Sequence, residues 1–230
     1  MFIVFDGTDG SGKATQTRLL LERLKKSGMD VEYVDFPRYG QRSAAMVEDY
    51  LQGKFGTADD VGPYRASVFY AIDRYAASFG IRKWLEEGKI VIANRYVSAN
   101  MGHQAGKIED PLERDRFLEW LEELEFGIFG IPRPDEVVLL YMPPSIGQKL
   151  AEKKWGENYI CGSRKDIHES DISHLTKAAE AYLYVARKYG WSIIDCAPGG
   201  KVKTVEEVHG AVWEIIRPML SSTRSQKSVR

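Results

Sequence analysis

The segment Gly7-Thr8-Asp9-Gly10-Ser11-Gly12-Lys13 decides the fold, because it joins a short apolar run to a helical pattern. The run before it, 2–5, is typical of a buried strand, and 13–26 carries leucines on one helical face. Glycines here let backbone N–H groups turn inward around phosphate oxygens, while the helix N-terminus and Lys13 add positive charge. A glycine-rich turn without a ligand is the alternative, but a position directly after the first strand favours nucleotide binding.

Short apolar runs and helical patterns alternate outward from this segment. The other predicted strands are 31–34, 90–93, 137–141 and 191–194, and the other predicted helices are 64–85, 111–124, 170–188 and 204–220. In the helix 64–85, one apolar stripe is predicted from the spacing of Val68, Ile72, Tyr75 and Phe79. Strands separated by helices predict an α/β fold, in which a parallel sheet has helices on both faces. Such sheets bind ligands outside the carboxyl ends of their strands, which places 6–12, 36–38 and 94–95 on one rim.

Composition limits the class of protein. A chain of 230 residues suits one domain, which we expect over 1–220, followed by a polar, basic and disordered tail at 221–230. The net charge of −1 argues against a nucleic-acid partner. Cys161 and Cys196 lie far apart and have no metal-ligand spacing, which argues against a disulfide scaffold and fits a reducing cytosol. No signal-peptide or membrane-span pattern is present, so we expect a cytoplasmic protein without a membrane partner.

The residue after the lysine departs from the usual phosphate-loop pattern. That pattern has Ser or Thr there, because the hydroxyl binds Mg²⁺, whereas this chain has Ala14. The hydroxyl of Thr15 points about 100° away around a helix and is not expected to replace it. We therefore expect the metal to be held by phosphates, water and carboxylates.

The same rim is predicted to collect side chains suited to a nucleotide acceptor. Tyr70 and Arg74 are four apart on one helical face, where a ring and a guanidinium can stack on and hydrogen-bond a base. Singly, each candidate is equally well explained as a core, surface or loop residue, but together beside a phosphate loop they favour an acceptor site. The candidates are Phe36, Pro37, Arg38, Tyr70, Arg74, Arg95, Asn100, His103 and Gln104.

In its ordered motifs the sequence resembles the thymidylate kinase family. The matching runs are FDGTDGSGK, DFPR, the Tyr70–Arg74 segment, NRYVSANMGHQ, RPDEVVLLY and DIHESD, which together span residues 1 to 175. The resemblance implies a three-layer P-loop kinase fold with a five-stranded parallel sheet and a mobile lid. It also implies ATP with Mg²⁺ as donor, dTMP as acceptor and a homodimer.

The resemblance also implies roles for individual residues. Arg95 and Arg38 would grip the acceptor phosphate, and Tyr70 would stack on the thymine. Hydrogen bonds to the base edge would come from Arg74 and Gln104, contacts to the deoxyribose from Asn100 and His103, and a contact to the sugar 3′-hydroxyl and the metal from Asp9. The nucleotide loop would comprise Gly7, Thr8, Asp9, Gly10, Ser11, Gly12, Lys13, Ala14 and Thr15. Besides Ala14, the chain departs from the family at Asn94, where Asp is usual, and at His103, where an aromatic residue is common.

A basic segment is the predicted lid, over about 149–169. Residues 149–165 hold five basic and two acidic residues, a pattern that also fits a solvated loop. The loop has Gly10 where some relatives have an arginine, so we expect the lid to bring positive charge to the transferring phosphoryl group. Arg164 is the first catalytic candidate, followed by Lys153, Lys154 and Lys165, and Glu169 is a candidate metal contact through water.

The predicted reaction is ATP-dependent phosphorylation of dTMP to dTDP. The acceptor phosphate has a second pKa of ~6 and is mostly anionic at neutral pH, so it needs no general base. Catalysis then consists of positioning and charge neutralisation by Lys13, Arg38, Arg95, Mg²⁺ and a lid cation such as Arg164. Two alternatives stay open from the sequence: a kinase for another nucleoside monophosphate or a deoxynucleoside, and a nucleotide-binding protein that has lost catalysis, as Ala14 and Asn94 would suggest.

Overall fold

The computed structural model of the protein describes residues 1–157 and 172–227, and the side chains of 1–150 and 174–220. Its centre is a five-stranded sheet in which every neighbouring pair is parallel and the order is β2-β3-β1-β4-β5. The strands are β1 Phe2–Gly7, β2 Val31–Asp35, β3 Ile90–Asn94, β4 Glu136–Tyr141 and β5 Ser192–Asp195. The predicted α/β fold with a parallel five-stranded sheet is therefore confirmed.

Helices connect the strands in the alternation that the sequence indicates. They are α1 Lys13–Lys26, α2 Ala45–Leu51, α3 Ala58–Glu86, α4 Val97–His103, α5 Pro111–Glu122, α6 Pro144–Glu157, α7 Ile172–Tyr189 and α8 Val205–Lys227. A π-helical segment, Glu123–Ile128, continues α5. Helix α3 begins with a capping box between Thr57 and Asp60, and its path is broken at Gly62, where φ is 73°.

Two apolar cores, one on each face of the sheet, make the molecule three-layered. Alternate residues of a strand point to opposite faces, so Val4 packs on the side of α3 and α5 while Ile3 packs on the side of α1 and α8. Strand β1 lies in the middle of the sheet and is buried over its whole length. The loop that follows β1 therefore starts from a fixed position, beside the carboxyl ends of β3 and β4.

Three segments differ from the sequence prediction. The predicted apolar stripe of α3 exists, but Ile72, Tyr75 and Phe79 are 41%, 40% and 58% exposed, so it faces solvent instead of the core. Helix α8 runs to Lys227 into the predicted disordered tail, because no glycine or proline follows Pro218 to stop it. Helix α6 runs to Glu157, so the beginning of the predicted lid is helical. Among the described residues, no helix is long and apolar enough to cross a membrane.

Candidate active site

The loop between β1 and α1 is shaped by glycines in left-handed conformations. Gly10 has φ 72° and Gly12, the residue that caps α1, has φ 86°, a region that residues with a Cβ rarely adopt. The Thr8 hydroxyl donates to the carbonyl of Met142 and accepts from its N–H, at 2.7 and 2.8 Å, which ties the loop to the end of β4. Lys13 is buried, and its Nζ donates to the carbonyls of Gly7 and Thr8, both at 2.9 Å.

Two glycines bring the loop against α6. A Cβ on Gly10 would lie 2.4 Å from the carbonyl oxygen of Gly147, and a Cβ on Gly147 would lie 2.2 Å from the carbonyl oxygen of Asp9. Both distances are far below van der Waals contact, so the two backbones touch without any side chain between them. An arginine at position 10 has no room here, which supports the expectation that a cation comes from another part of the chain.

One carboxylate joins the two principal cations of the rim. Asp9 Oδ1 lies 3.8 Å from Lys13 Nζ and accepts a hydrogen bond from Arg95 Nη2 at 3.2 Å. Burial raises the pKa of Asp9, but the positive charges of Lys13 and Arg95 lower it more, so this pKa lies well below its usual range. Burial, with a smaller effect of Arg95, lowers the pKa of Lys13 to about 8 against the opposing charge of Asp9.

Arg95 is held at both ends. Its N–H donates to the carbonyl of Phe5 at 2.7 Å, and its backbone has φ 66°, the left-handed region that non-glycine residues avoid. Its Nη1 lies 3.1 Å from His103 Nε2, and its Nη2 is the group that contacts Asp9. The guanidinium therefore lies beside the phosphate loop, as predicted for an acceptor-phosphate ligand.

Arg38 is oriented by a buried carboxylate on α3. Asp73 accepts from the Arg38 N–H at 2.8 Å and from its Nε at 3.0 Å. Ser43 completes the cluster, because its hydroxyl donates to Asp73 at 2.7 Å and accepts from Arg38 Nη2 at 2.9 Å. Nη1 of Arg38 donates no hydrogen bond within the described part of the chain, so it can bind a phosphate without breaking the cluster.

Arg74 is far more buried than its predicted role suggests. Its guanidinium is 1% exposed and forms an ion pair with Glu125, which is fully buried in the π-helical segment. Nε lies 3.0 Å from Glu125 Oε1, Nη2 contacts the same carboxylate, and Nη1 donates to the carbonyl of Tyr96 at 3.2 Å. Three of the five N–H groups are used in this way. A contact from Arg74 to a base edge is restricted to the hydrogens that remain on Nη1 and Nη2.

The other acceptor candidates converge where α3 meets α4. Tyr70 is half-buried, and Tyr50 lies edge-on to its ring at 6.4 Å. The Asn100 amide donates to the Ser67 carbonyl at 3.2 Å, and Gln104 is buried with no partner for its Oε1 among the described residues. A buried amide oxygen without a donor suits a ligand N–H group. Phe36 is 4% exposed and packs on Tyr96, so it supports the site from the core.

Comparison with known proteins agrees with this geometry. The family model described as thymidylate kinase matches residues 5–209. A probable thymidylate kinase from Thermococcus onnurineus is 36% identical over 94% of this chain and 97% of its own length. The chain belongs to the thymidylate kinase family. A thymidylate kinase from Mycobacterium tuberculosis is 28% identical over 83% of this chain and 87% of its own length. The predicted enzyme class, a nucleoside monophosphate kinase, is confirmed.

A solved structure supports the fold of this thymidylate kinase family member. The thymidylate kinase from Candida albicans superimposes with a TM-score of 0.72 at 20% identity, covering 94% of this chain and 91% of the other. At that identity the likeness concerns the path of the backbone. It places the P-loop and the sheet order within the three-layer fold that the sequence resemblance implied.

Several predicted site residues of this family member lie outside the residues or the side chains that the structure describes. Arg164, Lys165 and Glu169 fall outside the described residues, and Lys153 and Lys154 lie in α6 beyond the described side chains. Ala14 is exposed at the start of α1 and Thr15 is half-buried behind it. Within the described residues, no group of three His, Cys, Asp or Glu side chains is placed to hold a metal ion.

Sequence reasoning missed three buried carboxylates that shape the site. Asp73 and Glu125 hold the two arginines, and Asp6, at 0% exposure, accepts from Ser98 at 2.6 Å and from Tyr182 at 2.7 Å. One signal was available: a carboxylate inside an apolar strand, helix or turn has to be paired, because unpaired burial of a charge is costly. Asp6 at the end of β1 and Asp73 beside Arg74 fit that description.

Proposed function

We propose that this chain transfers the γ-phosphoryl group of ATP to dTMP. The observation that carries the proposal is the Asp9 carboxylate between Lys13 and Arg95. Lys13 belongs to the donor-phosphate loop and Arg95 to the acceptor rim, so their shared carboxylate brings the two phosphate sites side by side. In-line transfer between two anions needs this proximity and charge compensation, with no general base.

Pyrimidine recognition is assigned to the junction of α3 and α4. Tyr70 provides a flat platform that any base can use, so stacking alone discriminates poorly. The unpartnered Oε1 of Gln104 suits the N3–H group of thymine, and Arg74, fixed by Glu125, suits the O4 edge. A purine presents a different edge and would leave these groups unpaired, at roughly 1–3 kcal/mol each.

Magnesium fits the site as a partner of the nucleotide phosphates. The buried Oδ1 of Asn94 has no partner among the described residues, and its Nδ2 donates to Asp35 at 2.9 Å, so the amide oxygen is available to accept from a donor such as a metal-bound water. Asp9 and Asn94 would therefore hold the hydrated ion, with Glu169 as a further candidate. When bound, Mg²⁺ neutralises charge on the β- and γ-phosphates.

A coupled ADP-release assay with ATP, Mg²⁺ and dTMP tests the proposed function. We expect turnover that is lost in EDTA, and kcat/KM for dTMP roughly 10-fold above dUMP and far above dGMP or AMP. Lys13→Met is the matched inactive control. Equal or better use of dGMP or AMP would refute the thymidylate assignment, and no turnover with any acceptor would support the nucleotide-binding alternative.

The exposed apolar face of α3 supports a homodimer. It comprises Ile72, Tyr75 and Phe79, with the exposed small residues Ala76 and Gly80 next to the two rings in sequence. Small residues let a second helix approach closely, and large exposed rings supply apolar area to bury.

We also infer a cytoplasmic location, because the Cys196 thiol is free and buried. Sedimentation and cell fractionation test these two points.

A further inference from the structure

His103 lies at the acceptor-phosphate end of the site, and its imidazole ring packs against rings of α7. It is half-buried at the end of α4, and its Nε2 lies 3.1 Å from Arg95 Nη1. A guanidinium can only donate, so the imidazole must accept through an unprotonated Nε2 and carry its proton on Nδ1. Arg95 thus has a hydrogen-bond acceptor at each Nη: the His103 ring at Nη1 and the Asp9 carboxylate at Nη2.

The ring of His103 has little freedom to turn away. Tyr182 lies edge-on to it at 5.4 Å, and His174 stacks on it at 6.1 Å with an interplanar angle of 19°. The preceding residue allows this packing, since a Cβ on Gly102 would lie 2.4 Å from the Tyr182 ring. The Tyr182 hydroxyl is itself fixed by the buried Asp6 at 2.7 Å.

Two anchors define the plane of a guanidinium, whereas one leaves it free to rotate about the anchoring bond. Bidentate recognition of a phosphate depends on that plane, and small displacements of a positioning group cost large factors in rate. The left-handed backbone of Arg95 also indicates that the position of this residue is fixed, because strained conformations persist only where the surroundings hold them.

We propose that His103 is a positioning residue which orients Arg95 for the acceptor phosphate, by accepting a hydrogen bond from it. This inference rests on the proposed function, and it gives His103 a role different from the sugar contact expected from the sequence. An aromatic residue with only ring carbons at position 103 would fill the space without orienting the arginine. The orienting effect on Arg95 therefore depends on a hydrogen-bond acceptor atom in the side chain at position 103.

Two substitutions separate the acceptor atom from the bulk of the side chain. His103→Leu removes the acceptor and is expected to raise KM for dTMP about 10-fold, with a smaller change in kcat and no change in KM for ATP. His103→Gln offers an amide oxygen at similar reach and is expected to stay within about threefold of the wild type. His209→Leu, the same change at a half-buried histidine on α8, is the matched control and is expected to have no effect.

A double-mutant cycle tests whether His103 acts through Arg95. If it does, adding His103→Leu to Arg95→Ala causes no further loss of dTMP affinity, measured by calorimetry with dTMP alone. Additive losses, or equal losses in the Leu and Gln variants, would overturn the inference while leaving the proposed function intact. Failure of the wild type to use dTMP would instead refute the proposed function. Thermal melting checks each fold, and His103→Met repeats the test if the Leu variant melts too low.

Discussion

The two faces of α3 depart from the usual distribution of polar and apolar residues, because the buried face holds charges beside apolar residues such as Ile81 and the exposed face holds large rings. The face toward the protein carries Ser67, Asp73 and Arg74, each at most 1% exposed. The face toward solvent carries Tyr75 and Phe79, at 40% and 58% exposure. A surface helix normally buries its apolar stripe and exposes its charges.

This departure follows from what each face touches. The inward charged groups are paired, Asp73 with Arg38 and Arg74 with Glu125, so their burial is compensated by charge-assisted hydrogen bonds. These pairs lie at the proposed acceptor rim. On the outward face, Tyr75 packs on Phe129 at 5.0 Å and Arg82 lies 5.6 Å from the Phe79 ring, yet both rings stay largely exposed, and in our proposal a second copy covers them. In our proposal, substrate binding sets the polarity of one face and dimerisation that of the other, and each face can be tested separately.

Breaking the buried ion pair is expected to have the largest effect. Glu125→Gln keeps the size of the side chain but leaves the charge of Arg74 buried without its counter-ion. We expect the free energy of unfolding to fall by roughly 3–5 kcal/mol, measured by denaturant unfolding. Glu22→Gln, in the exposed Arg18–Glu22 pair, is the control and should cost less than about 0.5 kcal/mol. A loss below about 1 kcal/mol at Glu125 would contradict the assignment of a desolvated pair.

The Asp73–Arg38 cluster comes next. Arg38→Ala should lower kcat/KM for dTMP by on the order of 10²–10³, because it removes a cation from the acceptor phosphate. Asp73→Asn should lower it less, by about 10-fold, since the arginine stays but loses its orienting charge. Arg42→Ala changes an exposed arginine nearby and should have little effect. Steady-state kinetics with dTMP varied distinguishes these cases, and a normal Arg38→Ala enzyme would remove Arg38 from the acceptor site.

A substitution on the outward face of α3 should weaken the proposed dimer more than it changes turnover. Phe79→Asp is expected to weaken the dimer at least 10-fold, because burying a phenyl ring contributes roughly 1.5–3 kcal/mol and a carboxylate opposes it. Turnover per protomer should change only a few-fold. Sedimentation equilibrium measures the dissociation constant, with Leu112→Asp, 69% exposed on α5, as control. Equal behaviour of both variants would place the dimer contact elsewhere.

The smallest effect concerns pH. Because Lys13 has a folded pKa of about 8, below its usual value of 10.5, the free protein loses this charge above pH 8. ATP affinity should therefore fall between pH 7 and 9, by at most about 10-fold per pH unit. The unfolded chain binds more protons in the window from about 8 to 10.5, so this group makes the free protein more stable as pH rises there. Calorimetric titration of ATP tests the affinity change, and Lys13→Arg, which stays charged, should not show it.

Local patterns predicted the fold well because they depend on neighbouring residues. The loop at 7–13, the five strands and most helices follow from periodicity and glycine positions. The stripe at Ile72, Tyr75 and Phe79 was read correctly as apolar, but its direction depends on what packs against α3. The same limit applies to Arg74, whose partner Glu125 lies 51 residues away and is brought inward by a π-helical segment. A local pattern can show that a buried charge needs a partner, but it does not show which distant residue is that partner or which surface a second chain would cover.

The contact between Gly10 and Gly147 restricts how this sequence can change. Neither residue can gain a side chain while the other backbone stays in place, so a substitution at one position requires a shift of α6 before it can be tolerated. An arginine at the loop position of this chain would therefore require a different position of α6. For this chain, a change in where the catalytic charge comes from would require moving a helix as well as exchanging a residue.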